Sequence, residues 1–353
     1  MNNSTIETGG VPELEDFTQH KVAVAIWTYI PPILIVMGSI GNILCILVLS
    51  KTSMKFSTTS LYLRVLAVVD IVVLYTGLLR QWLRYLLNLD IRRMTEPGCK
   101  IHTWIVYAVV HSSAWLLVGV TLERVLSVMF PHTVKMKCTR KAAYAIIGSI
   151  LVFFLLLNAH YLYGIGDYYY QEGNETLLIP CDGITDDYYR FETTIWPWVD
   201  FCFYSFLPSS ILIISNFCII RTVYSSDTKA NDVKGYCGNV TARKNKTSSM
   251  TMTLVAVSAA YVICTTPFCV YAIYSNIHSE GLSLETKATR SLLWSLVNML
   301  QYLNNTINFI MYSVTGSRFR HELKGMFCKK AIVPRPTIYT MTTKSTSADS
   351  SLH

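Results

Sequence analysis

The chain has 353 residues, of which 52% are hydrophobic and only 15% are charged, and its formal net charge is +8. A soluble domain of this size carries about 25% charged residues, so the composition argues against an ordinary soluble protein and for a membrane protein. A helix needs about 20 mainly apolar residues to cross the bilayer core, whereas an isolated strand would leave its backbone polar groups unpaired in lipid. Seven segments qualify and predict an all-α membrane protein with a seven-helix bundle. In chain order they are 27–49, 60–87, 101–130, 142–163, 194–223, 250–277 and 292–314.

The N-terminal tail, 1–26, is polar and acidic, without the basic start and apolar stretch of a cleavable signal peptide. We therefore expect the first span to act as the insertion signal. Basic residues follow the first, third and fifth spans and fill the C-terminal tail, whereas the opposite side is acidic. Because basic flanking residues stay in the cytoplasm, a plasma-membrane protein with its N-terminus outside and its C-terminus inside is predicted. The positive charge is then a topology signal, and no nucleic-acid binding is expected.

The predicted outer side carries glycosylation signals and two cysteines. Asn2, Asn3 and Asn174 each begin an Asn-x-Ser/Thr triplet there and are predicted glycosylation sites. Of the 10 cysteines, only Cys99, at the start of the third span, and Cys181, in the loop before the fifth, lie outside. Since disulfides form in oxidising compartments, these two are predicted to be bonded.

Polar side chains inside the spans are the first functional candidates, because they are costly in a membrane. Asp70 lies in the second span, Ser113 in the third, and Asn304 and Asn308 in the seventh. Hydrogen bonds between helices are the structural alternative for such groups, and we favour it for Asn42 in the first span. A buried carboxylate needs a proton or a cation, so a functional role is favoured for Asp70.

A Glu-Arg pair follows the apolar part of the third span, in the stretch TLERVLSVMFP. From Cys99 to Arg124 a helix covers roughly 38 Å at 1.5 Å per residue. That distance is one membrane crossing plus a headgroup layer. Glu123 and Arg124 are therefore predicted where the third helix meets the cytoplasm.

A set of residues spread over the whole chain carries a family resemblance. The set is Gly41-Asn42, Leu66-Ala67 with Asp70, Cys99 with Glu123-Arg124-Val125, Pro131, Cys181, Pro208, Pro267 and Asn308-x-x-x-Tyr312. Each member alone is a weak signal, but in this order they resemble the rhodopsin-like (class A) family of G-protein-coupled receptors. The resemblance implies a receptor without bond-making chemistry that activates a heterotrimeric G-protein.

The resemblance also implies roles for individual residues. In that family the arginine matching Arg124 is held at rest by its acidic neighbour, here Glu123, and contacts the G-protein after release. Tyr312 belongs to the same coupling site. Pro267 removes a helical hydrogen bond and gives the sixth helix a kink about which it swings. Oxygen ligands suit hard cations, and the positions that hold sodium in many members match Asp70, Ser113, Asn304 and Asn308.

The chain departs from the family pattern at positions tied to activation. Thr265 stands where the sixth helix usually has Trp, Asn216 where the fifth usually has Tyr, and Phe309 where the seventh usually has Pro. The usual contact between a fifth-helix Tyr and Tyr312 is therefore not carried over to this chain. The Asn-Phe-x-x-Tyr variant followed by TGSRFRHEL resembles a branch of peptide receptors that includes invertebrate FMRFamide-type receptors and related orphans.

The outer half of the bundle narrows the class of ligand. The seventh span has no lysine for a retinal Schiff base, and Val106 stands where amine receptors carry Asp. Arg80 and Asp200 are predicted to face the cavity, where they either pair with each other or hold the two ends of a charged ligand. The other predicted lining residues, for each of which packing is the alternative, are Tyr107, His111, Tyr204, Phe268, Tyr271, Gln301 and Tyr302.

The loop before the fifth span gives the strongest indication of ligand chemistry. Its stretch GDYYYQEGNETLLIPCDGITDDYYRFE contains seven acidic residues against one Arg, with clusters of Tyr. An acidic surface attracts basic ligands, and Tyr makes adaptable contacts with peptides. A basic neuropeptide is therefore the first candidate and a free aromatic amino acid or similar metabolite the second. A solvated, glycosylated cap is the alternative without a ligand.

The chain after the bundle (27–314) predicts two further parts. Residues 315–328 place apolar side chains on one face, which is typical of a short amphipathic helix lying on membrane lipid. Cys328 at its end is a predicted palmitoylation site. The tail 329–353, dense in Thr and Ser, is predicted to be disordered, and phosphorylation there would suit arrestin.

A seven-span transporter or channel is the rival from a different class. Transporters typically show internal repeats and broken helices near the midplane, and we find no such repeat in the sequence. The Glu123–Arg124 pair would also have no role in a transporter. The sequence therefore predicts a receptor, with a peptide as the first choice of ligand.

Overall fold

The computed structural model describes residues 13–130, 138–172, 175–232, 238–278 and 281–327. Two antiparallel strands, β1 (Ile165–Glu172) and β2 (Glu175–Gly183), form a hairpin between the fourth and fifth helices. The helices are α1 (Thr18–Leu49), α2 (Thr58–Leu87), α3 (Glu96–Met129), α4 (Arg140–Leu157), α5 (186–232), α6 (Gly238–Ile277), α7 (Leu284–Thr315) and α8 (Ser317–Phe327).

Every predicted span coincides with one of the helices α1 to α7, which confirms the helical bundle. Within the described ranges, six helices, α1 to α6, are long and apolar enough to cross a membrane. The helix α7 is as long as α1, at 32 residues, but its buried face is rich in Asn. The helix α1 begins at Thr18, before the predicted residue 27, and Trp27 is fully buried in the bundle.

The helices α1 and α7 approach closely because one of them carries glycine at the contact. A Cβ atom on Gly41 would lie 3.0 Å from the Cβ of Phe309. Beside it, Asn42 Nδ2 donates a buried hydrogen bond of 2.9 Å to the backbone carbonyl of Asn305. This confirms the expected role of Asn42 in holding helices together, for which about 1 kcal/mol is typical.

The helix α5 is irregular around its proline. It contains two π-helical turns, Phe191–Ile195 and Phe201–Phe206. Pro208 has no N–H group, so it cannot donate to the carbonyl of Tyr204 four residues earlier. That carbonyl accepts from the hydroxyl of Tyr261 on α6, and the carbonyl of Phe203 accepts from Trp115 Nε1 on α3 at 2.8 Å. The irregular stretch therefore binds α5 to both α3 and α6.

The loop between α4 and α5 folds into a hairpin that the sequence analysis did not predict. Its open end pairs Ile165 with Gly183. Cys181 on β2 is bonded to Cys99 at the start of α3, which confirms the predicted disulfide. The disulfide attaches the acidic hairpin to one end of the bundle.

The short helix α8 confirms the prediction of an amphipathic segment after the bundle. Phe319 is buried, with its ring 5.7 Å from that of Tyr312 on α7. Leu323 and Met326 also pack against the core, whereas Phe327 is exposed. Outside the described residues lie the predicted modification sites and tail, namely Asn2, Asn3, Asn174, Cys328 and 329–353, together with Pro131.

Candidate functional site

A cavity of about 540 Å³ opens at the end of the bundle that carries the hairpin. It lies between α2, α3, α5, α6 and α7, beneath the end of β2. Its volume is within the range of pockets that take drug-sized ligands. The predicted ligand-binding residues that line it are Arg80, Tyr107, Asp200, Tyr204, Phe268, Gln301 and Tyr302.

Two predicted lining residues do not line this cavity. His111 is fully buried, and its ring stacks on Phe154 with the centroids 5.3 Å apart. Tyr271 donates from its hydroxyl to the carbonyl of Arg290 on α7 at 2.9 Å, and it borders a separate apolar groove beside Pro267. Both side chains therefore contact a neighbouring helix and do not line the cavity.

Arg80 forms a two-pronged ion pair with Asp90, a partner that the sequence analysis did not consider. Nε donates to Oδ1 at 2.7 Å and Nη2 donates to Oδ2 at 2.5 Å. Asn88, in the left-handed region with φ at 52°, ends α2 and turns the chain so that Asp90 reaches Arg80. Burial opposes the charge of Asp90, but the hydrogen bonds and charge of Arg80 outweigh it, so the pKa of Asp90 lies below its usual value.

Asp200 pairs with His111 and links α5 to α3. Asp200 Oδ1 lies 3.2 Å from Nε2 of His111, and Nδ1 lies 2.8 Å from the carbonyl of Tyr107. A carbonyl can only accept, so Nδ1 carries a hydrogen. The alternative in which Arg80 and Asp200 pair with each other is wrong, since each has another partner.

Three more charged residues line the cavity, and the sequence analysis missed all of them: Arg92, Asp182 and Glu192. Arg92 lies in the short helical turn after α2, and its Nε donates to Nδ1 of His102 at 3.3 Å. Asp182 ends β2, and Glu192 lies in the first π-helical turn of α5. The helical period of the apolar residues cannot place residues of loops and irregular turns in a cavity. The only sequence signal for the two carboxylates was the acidity of the loop.

Asp70 lies deep in the bundle and is fully buried. Its Oδ1 accepts hydrogen bonds from Ser113 Oγ and Asn305 Nδ2, and its Oδ2 accepts from Asn308 Nδ2, each at 2.7 Å. Asn305 therefore takes the place predicted for Asn304, which is buried nearby on the same helix. Carboxylate, hydroxyl and amide oxygens are ligands that suit a hard cation. This Asp70 cluster (Asp70, Ser113, Asn305 and Asn308) therefore fits a sodium ion in its donor types.

The profile of the 7 transmembrane receptor (rhodopsin family) matches residues 41–312 of the chain. The chain belongs to the rhodopsin family of seven-transmembrane receptors. Among its relatives is the neuromedin-U receptor 2 of Homo sapiens, 26% identical over 305 residues, covering 83% of this chain and 68% of the relative. The galanin receptor type 2 of Mus musculus is 24% identical over 289 residues, covering 82% and 72%. The probable C-C chemokine receptor type 3 of Mus musculus is 23% identical over 320 residues, covering 86% and 80%.

Family membership decides between several of the predictions. It confirms a multi-pass receptor over a transporter or channel, and it makes α7 the seventh span despite its polar face. The resemblance to FMRFamide-type receptors is not decided by these relatives and stays a prediction. The receptor also shares with its family the disulfide between α3 and the loop before α5 that the sequence predicted.

The end of the receptor opposite the cavity contains the predicted coupling residues. Glu123 accepts a hydrogen bond from Thr58 at the start of α2. It also interacts electrostatically with Arg124, which has further interactions of its own. In the described ranges no ion pair within 4.0 Å joins Glu123 to Arg124. The acid therefore connects α3 to α2 as well as acting on its neighbour.

The residues that depart from the family pattern have identifiable surroundings. Thr265 is fully buried and donates to the carbonyl of Tyr261 in its own helix at 2.8 Å. Phe309 packs against Phe319 of α8, with the ring centroids 5.8 Å apart. Asn216 has a buried Oδ1 without a hydrogen-bond partner among the described residues. Thr265 and Phe309 thus make local contacts of their own.

Proposed function

We propose that this receptor binds an extracellular peptide in its cavity and activates a heterotrimeric G-protein at the opposite end. The observation that carries the proposal is the cavity itself. It is lined by charged and aromatic side chains and lies next to an acidic hairpin that a disulfide attaches to α3. Its relatives include receptors for neuromedin-U, galanin and C-C chemokines, which are peptides or small proteins. A basic peptide suits the acidic hairpin because opposite charges speed association.

The proposed orientation follows from the distribution of charge. Basic residues flank the end of the bundle that carries Arg124, and acidic residues fill the hairpin at the other end. By the positive-inside rule the cavity faces the cell exterior, and the N-terminus lies outside the plasma membrane. The helix α8 then rests on lipid at the cytoplasmic face, where the C-terminal tail is available to arrestin.

Activation in this proposal is a change of partners at the cytoplasmic end. Glu123 is bonded to Thr58 and acts electrostatically on Arg124. When α6 swings about Pro267, Arg124 becomes available to the G-protein. Tyr312, buried under α8, lies on α7 beside the same region and completes the coupling site.

A calcium assay tests the peptide and the latch together. Cells that express the full chain with a promiscuous G-protein receive neuromedin-U, galanin, amidated basic peptides or free aromatic amino acids. We expect calcium release to a peptide, its loss in Arg124→Ala, and its retention in Lys141→Ala, a matched removal of an exposed charge near the same face. A full response in Arg124→Ala would contradict the latch, and a response to amino acids alone would replace the peptide.

A free aromatic amino acid is the second candidate ligand. The cavity places Tyr107, Phe268 and Trp294 together with charged groups, and such a lining also suits a small zwitterion with a ring. The relatives favour the peptide. The amino-acid arm of the calcium assay decides between the two.

We also propose that the Asp70 cluster binds a sodium ion, with the carboxylate as the charged ligand. Asp70, Ser113, Asn305 and Asn308 join α2, α3 and α7, so an ion held there would stabilise the resting bundle. The melting temperature of the purified receptor should be higher in sodium chloride than in choline chloride, because a ligand of the folded state raises its stability. Asp70→Asn should abolish that difference. If the variant keeps it, sodium binds elsewhere.

A further inference from the structure

The cavity contains a positively charged side that is only partly neutralised. Arg80 and Arg92 line the cavity, and Arg93 lies outside it. All three arginines interact with the single carboxylate of Asp90, Arg92 at longer range. Arg80 takes both of its oxygens, and Arg93 lies 4.0 Å away. The carboxylate also accepts from the backbone N–H of Arg92 at 3.1 Å. Among the described residues, no carboxylate lies within 4.0 Å of the Arg92 guanidinium.

The opposite charge is contributed to the cavity by acidic residues of the hairpin and of α5. Glu192 and Asp182 both line the cavity and repel each other electrostatically. Asp182 accepts from the backbone N–H of Gly183 at 2.7 Å. In the part of the chain that the structure describes, no Lys or Arg side chain lies within 4.0 Å of Glu192. Arg92 and Glu192 interact across the cavity at more than ion-pair distance.

We infer that the cavity binds a peptide segment that carries a carboxylate and a cationic group close together, the carboxylate on Arg92 and the cation on Glu192. This rests on the proposed function and specifies its ligand class. Among the described residues neither half-buried side chain has an ion-pair partner within 4.0 Å. Because such a charge is costly, a ligand that places an opposite charge in contact with each of them lowers the cost at both places. Arg also suits a carboxylate because its planar fork donates two parallel hydrogen bonds.

A purely basic segment fits this cavity less well than the acidity of the hairpin suggests. It would satisfy Glu192 and Asp182, but it would leave Arg92 uncompensated and would be repelled by it. A cavity of about 540 Å³ takes a drug-sized ligand, so a few residues of a peptide enter rather than the whole molecule. The entering segment therefore has to present both charges within that short length.

Selection from a defined peptide pool tests the inference without knowledge of the natural ligand. The purified full chain in lipid nanodiscs is incubated with random hexapeptides that are N-acetylated and C-amidated, so that only side chains carry charge. The peptides form four classes: with both charges, with a cation only, with a carboxylate only, and uncharged. Bound peptides are counted against empty nanodiscs. We expect the class with both charges to be enriched about 10-fold or more over each class with one charge, since a hydrogen bond to a charged group changes affinity by about that factor.

Matched variants assign each charge to its residue. Arg92→Gln should remove the advantage over the cation-only class, Arg92→Lys should keep part of it, and Glu192→Gln should remove the advantage over the carboxylate-only class. The controls Arg93→Gln and Asp187→Asn alter neighbouring charges outside the cavity. They should keep the advantage over the cation-only class and the advantage over the carboxylate-only class. If Arg92→Lys keeps part of the enrichment and all variants melt at the same temperature as the wild type, the losses in the Gln variants are due to the missing charge and not to misfolding.

The outcomes separate this inference from the proposed function. Enrichment of basic or uncharged peptides as strong as that of the class with both charges would overturn the inference and leave a peptide receptor. An advantage that survives both Gln variants would also overturn it. If no class is enriched over empty nanodiscs, both the inference and the peptide ligand fail.

Discussion

The Arg80–Asp90 ion pair provides a quantitative test of how the cavity end of the receptor is stabilised. In Asp90→Asn the side chain keeps its shape, but Arg80 loses its counter-ion while only 11% of its side chain is exposed. Breaking a buried pair in this way costs about 3–5 kcal/mol, because the remaining charge is uncompensated. The ion pair of Glu96 and Lys100 has a similar N–O distance, 2.6 Å, but its side chains are 46% and 25% exposed, respectively. Glu96→Gln should therefore cost only about 0–1 kcal/mol.

Thermal unfolding of the purified full-chain variants in one detergent measures this difference. At about 2–4 °C per kcal/mol, Asp90→Asn should melt at least about 4 °C below Glu96→Gln. Replacing both charges, Arg80→Met with Asp90→Leu, should recover most of the loss, since an apolar pair of similar volume substitutes for a buried ion pair. Equal melting temperatures of Asp90→Asn and Glu96→Gln would refute the reasoning, as would a double variant no more stable than Asp90→Asn.

Three further predictions concern the same end of the receptor. The pKa of Asp90 is lower in the folded state than in the unfolded state. The contribution of Asp90 to stability is therefore fully present above the unfolded pKa of about 3.9, and it is lost as pH falls through the lower folded value. Melting curves below about pH 4 should show this loss in the wild type and lack it in Asp90→Asn. His111→Ala removes a fully buried ring that stacks on Phe154 and should cost about 2–5 kcal/mol, whereas Asp200→Asn keeps the size of a side chain that is 18% exposed and should cost about 1 kcal/mol; equal losses in thermal unfolding would contradict this difference in burial. Tyr261→Phe orphans the carbonyl of Tyr204 and should cost about 1–3 kcal/mol, and an unchanged melting temperature would show that water replaces the bond.

The features that were predictable from sequence are those that many residues specify together. Each span is a long apolar stretch, so its existence did not depend on any one contact. The disulfide followed because only Cys99 and Cys181 lie on the outer side. The amphipathic helix α8 followed from a helical period in its apolar residues, of which Phe319 is the most deeply buried.

The site could not be predicted to the same degree, because the positions of its side chains depend on the conformation of single turns. The partner of Arg80 depends on the left-handed conformation of Asn88, which brings Asp90 back over α2. Each π-helical turn adds a residue to its helix, so the side chains beyond it are rotated from the faces that a regular period predicts. Such turns, Leu74–Leu78 in α2 and Phe191–Ile195 in α5, precede Arg80 and Asp200. Both residues nevertheless line the cavity as predicted, and it is their partners, Asp90 and His111, that were missed. Arg92 and Glu192 lie outside the regular spans altogether.

The irregular stretch of α5 connects the cavity to α6. Asp200, which lines the cavity, lies one helical turn before Tyr204, and the backbone carbonyl of Tyr204, to which Pro208 cannot donate, accepts the hydrogen bond from Tyr261 on α6. In the proposed mode of action, a ligand that draws the start of α5 towards its cation would strain this bond to α6. The route would need no Trp at the position of Thr265, whose hydroxyl is bonded within α6. Backbone carbonyls of α5 would then connect the cavity to α6 in place of the side chains that the family usually employs.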